Sequence, residues 1–161
     1  MVKFGLAQNI GVSRTEAKEI INNYFVQFPK VKEYMDWTIE QAREKEYVET
    51  IMGRRRYLKD INASNGMIRA MAERNAINAP IQGSAADIIK IAMINVQQVM
   101  EQREMKSKML LQVHDELVFD MHNSESSELK TLVKEKMVQA VNLQVPLVVD
   151  IGEGLNWLEA H

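Results

Sequence analysis

The stretch from Lys108 to Asp120 constrains the fold of this chain most, because it joins two short apolar runs through one acidic turn. Met109–Val113 and Leu117–Phe119 are too short for ordinary helices and rich in the side chains that favour strands. They predict a β-hairpin with three residues at its bend: His114, Asp115 and Glu116. A carboxylate on a rigid turn is open to a cation such as Mg²⁺, but acidic residues also occupy turns for backbone reasons alone.

Helical periodicity accounts for most of the remaining chain. Ser13 and Glu16 form the pattern of a capping box, and apolar residues then recur at three- and four-residue steps as far as Phe28. Three further helices are predicted: residues 31–47, residues 65–102 and residues 128–142. Pro80 and Gly83 interrupt the middle one, which predicts one kinked helix or two nearly coaxial helices.

Two other segments have the pattern of strands. Residues 47–51 alternate polar and apolar side chains, and residues 54–58 can return beside them after a turn at Met52 and Gly53. Residues 145–151 form an apolar run that begins near Pro146, which predicts an edge or strand-entry position. The fold class is therefore α+β, with long helices packed on a small antiparallel sheet around a central hairpin.

Composition excludes several classes of protein. The 161 residues are 46% hydrophobic and 26% charged, as in a globular domain. No apolar run approaches the roughly 20 residues of a membrane helix, and the absence of cysteine excludes disulfides and thiolate metal sites. We therefore expect a cytoplasmic protein that does not bind membranes. The net charge of −2 is unusual for a nucleic-acid-binding domain, so any such surface must concentrate its cations locally.

Two polar groups are candidates for such a surface. Arg54 and Arg55 stand with Arg56 at the predicted turn of the first hairpin, where they either bind phosphate or only improve solubility. A second group recurs every fourth residue on the predicted long helix: Arg74, Asn78 and Gln82. Side chains at this spacing share one helix face and can donate to the minor-groove acceptors common to all base pairs. Spacing alone equally fits a solvated polar face.

Longer motifs carry a family resemblance. Ala72–Asp87 contains Glu-Arg-x-Ala-Ile-Asn-x-Pro-x-Gln-Gly-x-Ala-Ala-Asp, and Gln112–Phe119 reads Gln-Val-His-Asp-Glu-Leu-Val-Phe. Together they resemble the palm helix and the third polymerase motif of the family A DNA polymerases, the bacterial DNA polymerase I group. The resemblance extends from Phe4-Gly5-Leu6-Ala7 to Gly154-x-Asn156-Trp157, which is essentially the whole chain. It implies fingers for residues 1–58 and palm for residues 59–161.

The resemblance also implies roles for individual residues. Asp115 corresponds to one of two aspartates that bind two Mg²⁺ ions, which Mn²⁺ can replace, during nucleotidyl transfer from deoxynucleoside triphosphates. Glu116 corresponds to an auxiliary acid near the ions, and His114 to a contact with the primer end. The equivalents of Arg74, Asn78 and Gln82 contact primer-template DNA, and a further contact is implied for the arginine turn. DNA replication or repair in the bacterial nucleoid would be the setting.

Two parts of the family pattern do not occur in this sequence. The strand Asp-Tyr-Ser-Gln-x-Glu, which bears the second aspartate, is missing, as is the fingers helix that holds the triphosphate. We therefore expect the C-terminal portion of a larger polymerase, inactive alone and completed by its missing N-terminal part. A stand-alone, non-catalytic nucleic-acid-binding protein of the same fold is the alternative. A metal phosphodiesterase that uses Asp115, Glu116 and a histidine has less support.

Overall fold

The computed structural model describes residues 2–160, without the side chains of residues 2–4; Met1 and His161 lie outside the described residues. The chain forms two compact units. The first contains the residues up to Glu49 together with Gly53–Pro80, and the second contains Thr50–Met52 together with the residues from Ile81 onward. The boundary between fingers and palm expected at residue 58 concerns subdomains of a whole enzyme, and it stays a prediction.

The first unit begins with three helices. They are α1 (Val2–Ile10), α2 (Arg14–Gln27) and α3 (Pro29–Lys45). The predicted capping box is confirmed, because Ser13 Oγ accepts from the Glu16 N–H at 3.2 Å and the Glu16 carboxylate accepts from the Ser13 N–H at 2.8 Å. α3 begins at a proline, whose missing N–H costs nothing because the first N–H groups of a helix have no partner within it. Its C-cap Glu46 has a left-handed backbone with φ 59°.

A short hairpin follows α3 and completes the core of the first unit. β1 (Tyr47–Glu49) pairs antiparallel with β2 (Arg55–Tyr57), as predicted. The buried core comprises side chains from α3, the hairpin region and the first part of α4 (Gly66–Gln102): Ala42, Val48, Leu58, Ile61, Ala72, Ala76 and Ala79. Its many alanines allow close approach of backbones, and Ile61 is fully buried among them.

The helix α4 is continuous through Pro80, so one helix is present where the sequence left one kinked or two coaxial helices open. A proline costs the helix one N–H donor and crowds the preceding turn. Helix-favouring alanines on both sides, together with the buried Ala76 and Ala79, offset that cost. The residues up to Pro80 belong to the first unit, and those from Ile81 onward belong to the second.

The second unit contains the predicted central hairpin. β3 (Lys108–Val113) pairs antiparallel with β4 (Glu116–Asp120), and a bulge leaves Leu110 without an opposing residue. A 3₁₀ turn at Asn123–Glu125 leads into α5 (Ser126–Val138). The core of this unit joins α4 to α5 through five buried side chains: Val96, Met100, Leu129, Leu132 and Val133. Phe119 and Met121 pack against it from the hairpin.

The predicted strand at residues 145–151 is wrong for the structure described, because this segment is irregular and exposes Val145 and Val148. Within the described residues it has no strand to pair with, and a single strand cannot satisfy its backbone groups. The last described element is the short helix α6 (Trp157–Ala160). Nowhere from residue 2 to residue 160 is a helix long and apolar enough to cross a bilayer.

Candidate nucleic-acid interface

The hairpin of β3 and β4 presents the acidic turn at its tip. Val113 pairs with Glu116, so the turn itself has only two residues, His114 and Asp115. Glu116 is therefore the first residue of β4, where the sequence placed it in the bend. His114 and Asp115 are exposed and Glu116 is half-buried. The structure thus brings all three predicted residues together on one turn of the second unit.

The backbone of this turn is constrained. His114 has φ 51°, which lies in the left-handed region that side chains other than glycine rarely adopt. The Gln112 side chain donates a hydrogen bond to the His114 carbonyl, within the same hairpin. Gln112 was not among the predicted site residues, although it stands in the same motif. The backbone that leads into Asp115 therefore contains one left-handed residue, and the Gln112 side chain holds its carbonyl.

The resemblance described above implies divalent metal ions, for which carboxylates are the usual protein ligands. Among the described residues, no three His, Cys, Asp or Glu side chains lie close enough to bind an ion. Asp115 and Glu116 are two neighbouring carboxylates, and Mg²⁺ is usually held by one or two carboxylates together with waters and substrate phosphates. These two residues do not form a metal site on their own.

The arginine turn lies between β1 and β2. Arg55 Nε donates to Glu49 Oε1 at 2.8 Å, and its guanidinium carbon lies 4.5 Å from the centre of the Tyr47 ring. The hydrogen bond with Glu49 raises the pKa of the Arg55 guanidinium, with a smaller contribution from Tyr47. Arg55 is therefore a charged, exposed group that a Glu and a Tyr of its own hairpin orient. Arg54 is also exposed.

The predicted polar ladder lies on α4. Arg74, Asn78 and Gln82 are all exposed and all within one continuous helix, as the spacing required. Arg74 and Asn78 belong to the first unit, and Gln82 to the second. Each of the three carries donors of the kind that minor-groove acceptors require.

A group of residues that sequence reasoning missed lies at the start of the arginine turn. Thr50 Oγ1 donates to Asp87 Oδ2 at 2.6 Å, and the Ile51 N–H donates to Ser84 Oγ at 3.0 Å. All of these residues belong to the second unit. A Ser and an Asp three apart on a helix carry no sequence signal for a contact 33 to 37 residues away, so only the structure reveals it.

The helices and small antiparallel sheets described above are those of a polymerase domain. The POL domain of Pol1 from M. smegmatis, solved in complex with DNA primer-template and dNTP, matches 98% of this chain at a TM-score of 0.95 and 49% sequence identity. The match covers 28% of that chain. Structural similarity of this extent, at 49% sequence identity, indicates a homologous protein and not only a shared fold.

The chain belongs to DNA polymerase family A, whose profile matches residues 1–159. DNA polymerase I from Caldicellulosiruptor bescii is 53% identical over 156 residues, which is 97% of this chain. DNA polymerase I from Streptococcus pneumoniae is 54% identical over 157 residues, and that from Bacillus subtilis is 46% identical over 157. The chain spans 18% of the length of each of these three relatives.

Proposed function

We propose that this chain serves template-directed DNA synthesis, as the part of a family A polymerase that binds primer-template DNA and supplies one catalytic carboxylate. The observation that carries the proposal is the two-residue turn of the β3–β4 hairpin, which exposes Asp115 on a constrained backbone. The family membership of the whole chain supports it. DNA with a primer end and deoxynucleoside triphosphates would be the substrates.

The proposal assigns a separate role to each group. Asp115 would be a metal-binding carboxylate, Glu116 an auxiliary acid, and His114 a contact with the primer end. The exposed donors on α4 would hold the duplex through acceptors that every base pair shares, so binding would not depend on sequence. The exposed charges of Arg54 and Arg55 suit the phosphate backbone, which attracts cations whatever the sequence.

A metal requirement follows from the family, and we propose two Mg²⁺ ions, with Mn²⁺ as a substitute. When bound, such ions lower the pKa of an attacking hydroxyl and stabilise the leaving group. Asp115 and Glu116 can provide only part of the ligands, and the remainder would have to come from outside this chain. For that reason we expect the isolated chain to bind DNA without extending a primer.

The test uses a chimera in which this chain replaces the matching region of the Caldicellulosiruptor polymerase, a relative 53% identical to it. We expect primer extension by the chimera and its loss by about a thousandfold in Asp115→Asn, because neutralising a metal ligand removes several kcal/mol of charge stabilisation. Thr131→Val, in the exposed part of α5, is the matched control and should extend normally.

Two results would contradict the proposal. Undiminished extension by Asp115→Asn would show that this carboxylate has no role in the chemistry. An inactive chimera, together with DNA binding by the isolated chain, would favour the non-catalytic nucleic-acid-binding protein instead. Primer extension by the isolated chain that disappears in Asp115→Asn would overturn only the expectation that this chain alone is inactive.

A further inference from the structure

The turn that leads to the arginines is anchored by side chains from a distant part of the sequence. Thr50 Oγ1 donates to Asp87 Oδ2 at 2.6 Å, the Ile51 N–H donates to Ser84 Oγ at 3.0 Å, and the Met52 N–H donates to Thr50 Oγ1 at 3.3 Å. We call this group of five residues the turn clasp. It fixes three successive residues immediately after β1 ends.

The chemistry of the clasp favours a rigid connection. A hydroxyl that donates to a carboxylate forms a charge-assisted hydrogen bond, which is shorter and stronger than a neutral one. Thr50 and Asp87 are half-buried and Ser84 is only 9% exposed, so water competes weakly for these groups. Ser84 and Asp87 are three residues apart and therefore share one face of α4.

The residues after the clasp are the ones proposed to bind DNA. Met52 is followed by Gly53, whose φ of 76° suits a glycine, and then by Arg54 and Arg55. A loop that is ordered before binding loses less conformational entropy when it binds. An exposed turn of this kind would otherwise be among the most mobile parts of a chain.

We propose that Asp87 is a positioning residue for DNA binding: through Thr50, and together with Ser84, it preorganises Thr50–Met52, the residues from which the chain continues into Arg54 and Arg55. The inference rests on the proposed function in one respect, namely that the arginine turn contacts DNA. It assigns a role to the last residue of the Ala72–Asp87 motif, and that role is distinct from direct contact with the duplex.

The experiment compares Thr50→Val, which loses the hydroxyl at constant shape, with Thr50→Ser, which retains it. Amide hydrogen exchange at Ile51 and Met52 reports on the clasp without DNA, and we expect a rise of about tenfold in Thr50→Val only, as local opening becomes easier. Fluorescence anisotropy with a labelled primer-template hairpin reports on binding, and the dissociation constant should rise about fivefold in Thr50→Val, with Thr50→Ser near wild type.

Controls separate this inference from the function on which it rests. Thr131→Val removes a hydroxyl that donates within α5, to the Ser127 carbonyl at 2.9 Å, and should change neither readout. Ser84→Ala removes the acceptor of the Ile51 N–H. It should likewise speed amide exchange and weaken DNA binding, and it replaces Thr50→Val if that variant folds poorly. Arg54→Ala/Arg55→Ala measures the contribution of the arginines directly.

The possible outcomes are distinct. If amide exchange at Ile51 and Met52 is unchanged in both Thr50→Val and Ser84→Ala, the clasp does not restrain the turn. Faster exchange with unchanged DNA affinity, while Arg54→Ala/Arg55→Ala weakens binding, would refute the positioning role and leave the proposed function intact. No loss of binding in Arg54→Ala/Arg55→Ala would refute both the arginine contact and the positioning role, whatever the exchange shows.

Discussion

The carboxylate of Glu125 accepts hydrogen bonds from the Ser107 N–H and the Ser107 hydroxyl, at 2.8 and 2.6 Å. The Lys106 N–H donates to its other oxygen at 2.8 Å, and the His122 N–H donates to Ser107 Oγ at 2.9 Å. One acidic side chain thus joins the residues that precede β3 to those that follow β4. Because Ser107 is only 4% exposed, this junction is sheltered from water.

This junction makes the stability of the second unit dependent on pH. The Ser107 hydroxyl, followed by the two backbone N–H groups, lowers the pKa of Glu125 from 4.5 to about 2. A depressed carboxyl pKa stabilises the fold fully above pH 4.5, and this contribution is lost as the pH falls from 4.5 towards 2. Glu125→Gln should therefore lower the urea midpoint at pH 7, and its difference from wild type should shrink below pH 4.5.

Glu128→Gln is the matched control for that measurement. Glu128 pairs with Arg103 at 2.7 Å, and both side chains are half exposed, so the pair contributes little to stability. We expect its urea midpoint to stay close to wild type from pH 7 downwards. Equal midpoints for Glu125→Gln and wild type at pH 7 would show that the three hydrogen bonds do not stabilise the fold.

The buried core of the first unit depends most on Ile61, which has no exposed surface. Ile61→Val removes one methylene and should cost about 1 kcal/mol of unfolding free energy, whereas Ile61→Ala should cost about 2–5 kcal/mol. Ile81→Ala, at a position that is 58% exposed, is the same change outside the core and should cost less than about 1 kcal/mol. Circular dichroism during urea unfolding measures all three. Similar losses for Ile61→Ala and Ile81→Ala would contradict the burial described.

The C-cap of α3 offers a stabilising substitution. Glu46 has φ 59° and donates its N–H to the Ala42 carbonyl, a position that glycine favours. Glu46→Gly should raise the unfolding free energy by about 1 kcal/mol, since it relieves left-handed strain. Glu44→Gly lies two residues earlier, inside the helix, and should lower it by about the same amount. If both substitutions destabilise equally, Glu46 is not left-handed in solution.

His114 combines a backbone role with a proposed contact, and two substitutions separate them. Asn tolerates the left-handed conformation, so His114→Asn should keep the hairpin stable while losing the imidazole. His114→Val places a β-branched residue at φ 51° and should cost about 1–2 kcal/mol. Urea unfolding measures the backbone effect and primer extension by the chimera measures the imidazole effect. Equal stability of both variants would argue against strain at this turn.

The polar face of α4 can be tested with one pair of glutamines. Gln82 and Gln98 are both exposed on α4 in the second unit, but only Gln82 belongs to the proposed DNA-binding ladder. Gln82→Ala should weaken binding of the chain to primer-template DNA about fivefold, the effect of one hydrogen bond of about 1 kcal/mol. The loss should be equal for A·T and G·C pairs at the primer end. Gln98→Ala should bind as wild type does, and a loss confined to one base pair would argue against shared-acceptor contacts.

Local sequence signals predicted the elements that their own residues stabilise. Neighbouring residues alone were enough to predict the capping box of Ser13 and Glu16 and both hairpins. The structure confirms all three elements. The apolar face predicted for α2 is less buried than its periodicity indicates. Ala17 is buried, but Tyr24 and Phe28 remain about half exposed. Periodicity identifies a helix and its apolar side, but it does not show whether another element covers that side.

Distant contacts were beyond the reach of sequence reasoning. The strand expected at residues 145–151 requires a partner strand, and its apolar run contains no information about whether one is present. The turn clasp joins residues 33 to 37 positions apart through side chains that are common at helix starts and turns. For the candidate site, motif resemblance named the turn at His114 and Asp115, but it did not reveal the left-handed backbone.

The bulge at Leu110 has a consequence for how this chain tolerates insertions and deletions. Met109 pairs with Phe119 and Leu111 pairs with Val118, so Met109 and Leu111 lie on opposite faces of the hairpin although they are two residues apart. Deleting Leu110 would leave Met109 opposite Phe119 and Leu111 opposite Val118, so each remaining residue would keep its face and only the bulge would be lost. The hairpin should therefore tolerate the loss of Leu110 alone, because every remaining pair keeps both its partner and its face.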